Sequence, residues 1–190
     1  MTLQYISSMT RVRNLNLDTW SELYVGVRHI CYELLPEHQY SCAPKEVALS
    51  AIAIVVSNQL MEIAIYNILS ELSRQSELNI CFTELEDMSY YKMICKILPM
   101  VAKQPRILTE EPFLSTERLR RRRNCTAHKV VLPVTLEMAR SALFSSVQGV
   151  KELYQICDRP FPYDEVLKKY PYKTEEWFSS IDYPEEKYQR

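Results

Sequence analysis

Apolar residues recur every three or four positions through most of this chain, and prolines or short polar runs break the pattern into segments. Residues 18–35 form the first segment. Trp20, Leu23, Tyr24, Val27, Cys31 and Leu34 fall on one helical face, Asp18 can cap the first amides, and Pro36 closes the stretch. A short polar linker follows. Residues 47–72 are then apolar nearly all round, which predicts a central, buried helix with Pro44 in its first turn. Ser57, Asn58, Glu62 and Asn67 are its polar exceptions, and Ser57 and Asn58 are expected to bond across helices. A third helix is predicted over residues 87–98, with Tyr91, Ile94, Cys95 and Leu98 on one stripe. Pro99 and Pro105 bracket an irregular connection. An arginine-rich helix runs from a cap at Ser115 to about His128 and stops before Pro133. Thr135 caps the next helix, where Glu137 sits favourably in the first turn. Leu136, Ala139, Leu143, Val147, Val150 and Tyr154 make its apolar stripe, which runs through to Cys157.

The last 33 residues differ from the rest, with four prolines and eight aromatic residues. They are expected to wrap over the bundle or a neighbouring subunit, with a short helix near residues 163–170. The expected organisation is residues 1–43 as an N-terminal helix and linker packed on the bundle, 44–157 as the helical bundle, and 158–190 as a Tyr/Pro-rich extension.

Composition narrows the fold class. Gly26 and Gly149 are the only glycines in 190 residues. Gly-rich phosphate loops need glycine at several fixed places, and tight hairpins want it in their turns. An all-α protein with an irregular aromatic tail is what remains. The apolar fraction of 47% is enough for a sizeable core.

The net charge is −1, so any affinity for a polyanion has to come from a local patch. Residues 101–130 hold eight Lys or Arg (103, 106, 118, 120, 121, 122, 123 and 129) against three Glu (110, 111 and 117), a local excess of +5. The six cysteines include no CxxC pair, and with no secretory apolar region at the start they read as reduced thiols in a cytoplasmic protein. The longest apolar stretch, residues 48–56, is too short to span a bilayer, so no membrane association is expected. His29, Cys31, His38 and Cys42 do not make a zinc site, because the first pair lies two apart on a helix and points to different sides. No metal and no cofactor is expected.

The chemistry concentrates in Arg120-Arg121-Arg122-Arg123-Asn124-Cys125-Thr126-Ala127-His128. Guanidinium groups hold phosphate, and an imidazole takes and gives protons near neutral pH. Asn124 and His128 share a helical face one turn apart. Arg123 and His128 are five apart and diverge by about 140° on a straight helix. One phosphate meets both only if the long Arg stem curls round, the helix unwinds near His128, or two copies face each other.

Arg123-Asn124-Cys125-Thr126-Ala127-His128 resembles the signature of the HEPN domain family, helical bundles in which an Arg, often followed by Asn, precedes a His by four to six residues. The resemblance covers about residues 44–157. It includes the long apolar helix before the motif and the capped amphipathic helix after a short loop. Many family members carry Gly directly after the His, and one toxin subset a Tyr two after it; here Lys129 and Val130 stand there.

The resemblance implies an up-and-down helical bundle and an endoribonuclease that works without metal at a composite homodimer site, in a toxin or anti-phage defence setting. A cognate antitoxin or regulatory protein is a possible partner. His128 would be general base or acid, Arg123 would hold the phosphate, and Asn124 would orient His128 or bond a phosphate oxygen. Glu62 would support His128, and Arg118, Arg120, Arg121, Arg122 and Lys129 would line the RNA. The alternative is a non-catalytic helical module that binds nucleic acid, nucleotide or a protein partner.

Overall fold

The computed structural model describes residues 18–36, 43–75, 77–78, 80–128 and 134–179, with positions 82, 127 and 128 described by their backbone. His38, Cys42, Lys129, Val130, Tyr183 and Tyr188 lie outside the described residues, as do the linker and loop segments around them.

No strand occurs among the described residues, and the fold is an all-α bundle. Its main helices are α1 (Thr19–His29), α2 (Pro44–Arg74), α6 (Phe113–His128) and α7 (Leu136–Ile156). Between α2 and α6 lie three short helices, α3 (Phe82–Glu86), α4 (Tyr90–Lys92) and α5 (Leu98–Val101), and a 3₁₀ turn at Ile107–Thr109. The last helix among the described residues, α8 (Asp164–Lys169), lies in the C-terminal extension.

Contacts along the bundle fix its directions. A Cβ on Gly149 of α7 would lie 2.6 Å from Thr116 Cγ2 of α6 and 3.3 Å from Met61 Sδ of α2. Near the other end, Ile54, Leu119, Val134, Ala142 and Phe178 form a small second core. Numbering therefore falls along α2 as it rises along α6, so those two helices are antiparallel. The Ser146 hydroxyl of α7 donates to the Ser57 carbonyl of α2 at 2.7 Å, and the same ordering makes α7 parallel to α2. Trp20 Nε1 donates to the Leu60 carbonyl at 3.1 Å, and Cys31 Sγ reaches the Ala139 carbonyl at 3.6 Å, so α1 runs against both. The four long helices thus alternate up and down.

α2 is 31 residues long, about 46 Å. By length and composition it could cross a membrane, and half of its most apolar window is buried inside the bundle. Pro44 stands at its N-terminus, where a missing N–H costs nothing. Asn58 is buried, and neither of its amide atoms finds a hydrogen-bond partner among the described residues. Ser57 bonds across the bundle through its carbonyl and not, as expected, its hydroxyl.

Two helix ends depart from the 3.6-residue pattern. After α1 the chain makes a π-helical turn, Ile30–Leu34. The wider turn shifts the phase, so Leu35 is 4% exposed and Leu34, expected inside, is 47% exposed. Arg140 Nε and Nη2 donate to the Cys31 and Pro36 carbonyls at 3.0 Å and close this end. The predicted third helix likewise changes its winding, although it is continuous from Tyr90 to Val101. Ser89 caps α4, and a second π turn, Met93–Ile97, leads into α5. Pro99 lies inside this run rather than after it; it lacks an N–H and crowds the preceding turn, which favours the wider winding. The buried stripe is Tyr90, Met93, Ile94, Ile97 and Leu98, and Tyr91 faces solvent.

Lys103 and Asp158 have left-handed backbones, with φ of 54° and 51°. Each sits just past a helix in a 6→1 closure: Gln104 N–H to the Pro99 carbonyl, and Arg159 N–H to the Tyr154 carbonyl.

The extension from residue 158 to residue 179 packs on its own chain. Tyr163 stacks on Trp20 with centroids 4.0 Å apart, and Tyr154 and Phe161 meet Tyr163 edge-on. Beyond α8 an extended strap runs back along α7. Tyr24 Oη donates to the Tyr170 carbonyl at 2.5 Å, and Gln148 Nε2 to Tyr172 Oη at 2.9 Å. Phe178 N–H donates to Ser145 Oγ at 2.9 Å, and its fully buried ring completes the second core. Burying such a ring contributes about 1.5–3 kcal/mol.

Candidate functional site

The arginine-rich helix, α6, begins two residues before the expected cap. The Glu111 carboxylate accepts the Ser115 N–H at 3.1 Å, so an acidic side chain rather than the Ser115 hydroxyl satisfies a first-turn amide. Ser115 is itself fully buried inside the helix.

The arginines that follow occupy different environments. Glu117 is the organising group. Its Oε2 accepts from Arg120 Nε and its Oε1 from Arg120 Nη2, both at 2.7 Å, and Oε1 also accepts from Arg121 Nε at 3.0 Å. Burial works against the Glu117 carboxylate, but the two guanidinium groups outweigh it and hold its pKa below the ordinary value. Burial likewise disfavours charged Arg120, and its bonds to Glu117 reverse the balance upward. Arg118 lies 3.7 Å from a Glu111 oxygen. Arg122 is 2% exposed, among the largest fully buried side chains of the protein, so it does not face the surface expected to line RNA. Arg121 is the outward member of the Glu117 cluster, with 54% of its side chain exposed.

The last turn of α6 is separate from that cluster. The helix is regular through His128, which removes unwinding before His128 as a way to close the site. Arg123 Nη1 instead donates to Asn124 Oδ1 at 3.1 Å. The stem thus bends towards the face that Asn124 shares with position 128, one turn on. The same bond engages the amide oxygen of Asn124 and leaves its NH₂ as the group that donates. Cys125 is buried, and Thr126 Oγ1 is buried with no partner among the described residues.

Glu62 is not brought to this turn. Its neighbour Met61 packs at the level of Thr116, and Glu62 acts with Glu117 on the buried Tyr90 hydroxyl. His128 lies twelve residues beyond Thr116, about 18 Å along the axis. A polar residue on an apolar helix carried no information about its height in the bundle.

Two residues that matter here escaped the sequence reading. Glu117 had a visible signal, since it stands three and four residues before Arg120 and Arg121, the spacing at which helical side chains meet. Tyr91 had none. The π turn that exposes it cannot be read from apolar spacing, and its ring lies 4.8 Å from Arg120 Cζ.

Among the described residues, no three or more His, Cys, Asp or Glu cluster as metal ligands would. None of the described cysteines 31, 81, 95, 125 and 157 forms a disulfide. The described residues form an all-helical bundle in which one helix is charged and partly buried. No family model, curated protein or solved structure matches the chain.

Proposed function

We propose that this protein is an endoribonuclease whose reacting groups sit on the last turn of α6, in a site completed by a second copy of the chain. The observation that carries the reading is the Arg123–Asn124 hydrogen bond, which holds a guanidinium on the face of Asn124, one turn from His128. The resemblance to HEPN domains supplies the reaction type and the toxin or defence setting. His128 takes the proton from a ribose 2'-hydroxyl as that oxygen bonds to phosphorus. The bond from phosphorus to the 5'-oxygen breaks, and that oxygen receives a proton from the imidazolium of the other copy. Arg123 offsets the charge that grows on the phosphate oxygens. The products are a 2',3'-cyclic phosphate and a 5'-hydroxyl.

The test incubates the purified chain with single-stranded and structured RNA in EDTA. Cleavage is expected, with cyclic-phosphate ends, and it falls by at least about a hundredfold in His128→Ala. Cleavage that His128→Ala leaves untouched ends the assignment.

A second reading is binding without turnover, in which the Arg123 guanidinium, bonded to a neutral amide rather than a carboxylate, takes the phosphate. With Arg120 and Arg121 on Glu117, Arg118 beside Glu111 and Arg122 buried, the run offers less free charge than its sequence suggests. Salt-sensitive RNA binding with no products, lost in Arg123→Ala and kept in His128→Ala, would favour this reading over catalysis.

A further inference from the structure

The side of α6 that carries Glu117 faces the segment running from α4 into the π turn. Tyr91 projects there. It is 52% exposed, and among the exposed large apolar side chains it lies against an arginine of the charged helix. The Arg120 guanidinium covers the ring at 4.8 Å and does not swing freely, because two N–H···O bonds of 2.7 Å clamp it to Glu117. Ring and guanidinium therefore form a fixed layered stack, with little ordering left to be done on binding. Arg121 shares the Glu117 carboxylate with Arg120 and has half its side chain in solvent. Both guanidinium groups bond to the one Glu117 carboxylate, so the two cations border the same patch. Exposed Lys92 and Lys96 flank it in sequence. Glu117 cancels one charge and partly exposed Glu62, which acts with it on Tyr90, another, against the four cations Arg120, Arg121, Lys92 and Lys96.

An exposed ring, a pre-set guanidinium plane and outward cations are the elements that take an unpaired base and its phosphate. Arg120 precedes His128 by eight residues, about 12 Å along the helix, so a strand seated at the last turn of α6 can reach the stack.

We infer that Tyr91, Arg120 and Arg121 form a base-stacking platform for single-stranded RNA, a few nucleotides from the site on the last turn of α6. This deepens the proposed function and rests on it for the position of the strand. A base stacks on the Tyr91 ring, and Arg121 meets a neighbouring phosphate. Duplex RNA, whose bases already stack on one another, gains nothing from the platform.

The experiment measures binding of a fluorescein-labelled, unstructured RNA oligonucleotide and a duplex of equal length by anisotropy. It uses the full chain with His128→Ala, so that no substrate is consumed. Tyr91→Ala is expected to weaken single-strand binding about tenfold or more and to leave duplex binding unchanged. Tyr91→Phe is expected to bind like the parent. Arg121→Ala is expected to lower the salt dependence of log K by about one. Because Tyr91 is exposed, the Tyr91→Ala chain should keep its helical circular dichroism.

Equal affinity of parent and Tyr91→Ala for the single strand overturns the inference, as does an equal loss for strand and duplex. If the wild-type chain cuts RNA while Tyr91→Ala binds and cuts normally, the platform falls and the nuclease stands. If Tyr91→Ala selectively loses single strands but the wild-type chain never cuts, the platform stands and the nuclease falls.

Discussion

The two parts of α6 differ more than their sequences suggest. From Glu117 to Arg122 the arginines are tied to their own chain: one is buried, and two share a carboxylate that is itself nearly out of solvent. From Arg123 to His128 the helix end carries one partly buried guanidinium, held by the amide beside it. Four consecutive arginines thus occupy four environments, because a helix turns each successive residue by about 100° towards a different neighbour. Local charge density in a sequence is a poor measure of charge available to a ligand.

That contrast can be broken by stability measurements. The largest effect is expected from Arg122→Ala, which truncates one of the biggest buried side chains and should cost about 2–4 kcal/mol in urea unfolding. A loss under about 0.5 kcal/mol would mean that the side chain is not packed as described. Next comes Glu117→Gln, which leaves two guanidinium groups without their carboxylate and should cost about 2 kcal/mol at pH 7.

The same group has a pH signature. The Glu117 pKa is lower folded than unfolded, so its contribution is complete above the unfolded value, near 4.3, and is lost as pH falls through the folded one. The difference in stability between the parent and Glu117→Gln should shrink below about pH 4. A difference that persists at pH 2 would show that the ion pairs are not its origin. The smallest effect belongs to Arg121→Ala, whose exposed pair should cost under about 0.5 kcal/mol. If it costs as much as Glu117→Gln, the division of α6 is misplaced.

Much of the fold was legible because apolar spacing reports packing directly. In α7 the six stripe residues from Leu136 to Tyr154 are all buried, and Thr135 caps the helix by accepting the Met138 N–H at 3.2 Å. Asp18 caps α1 in the same way, accepting the Ser21 N–H at 3.1 Å. The short helix of the extension also falls where aromatic and proline spacing put it. What escaped was whatever depends on an added residue in a turn or on a tertiary partner. Leu34 and Tyr91 were assigned to the interior by a 3.6-residue count that two π turns interrupt. The start of α6 was set at Ser115, since a serine looks like a cap and the reach of the Glu111 carboxylate is invisible in one dimension. At the site, adjacency does not predict the pairing of Arg123 with Asn124, since neighbours on a helix diverge by about 100°; the curl of the Arg123 stem is one of three arrangements the spacing allows, and the distance of Glu62 needs the antiparallel register of α2 and α6.

The two tryptophans sit in opposite surroundings. Trp20 is buried, sandwiched by Tyr24 at 5.4 Å and Tyr163 at 4.0 Å with its N–H on a carbonyl, while Trp177 rests at 39% exposure against Phe144. The chain therefore carries its own pair of optical probes. Emission from the enclosed indole reports whether the Tyr163 turn is seated, and emission from the outer one reports whether the strap lies along its helix. Detachment of the extension would be read in the spectrum with no label attached.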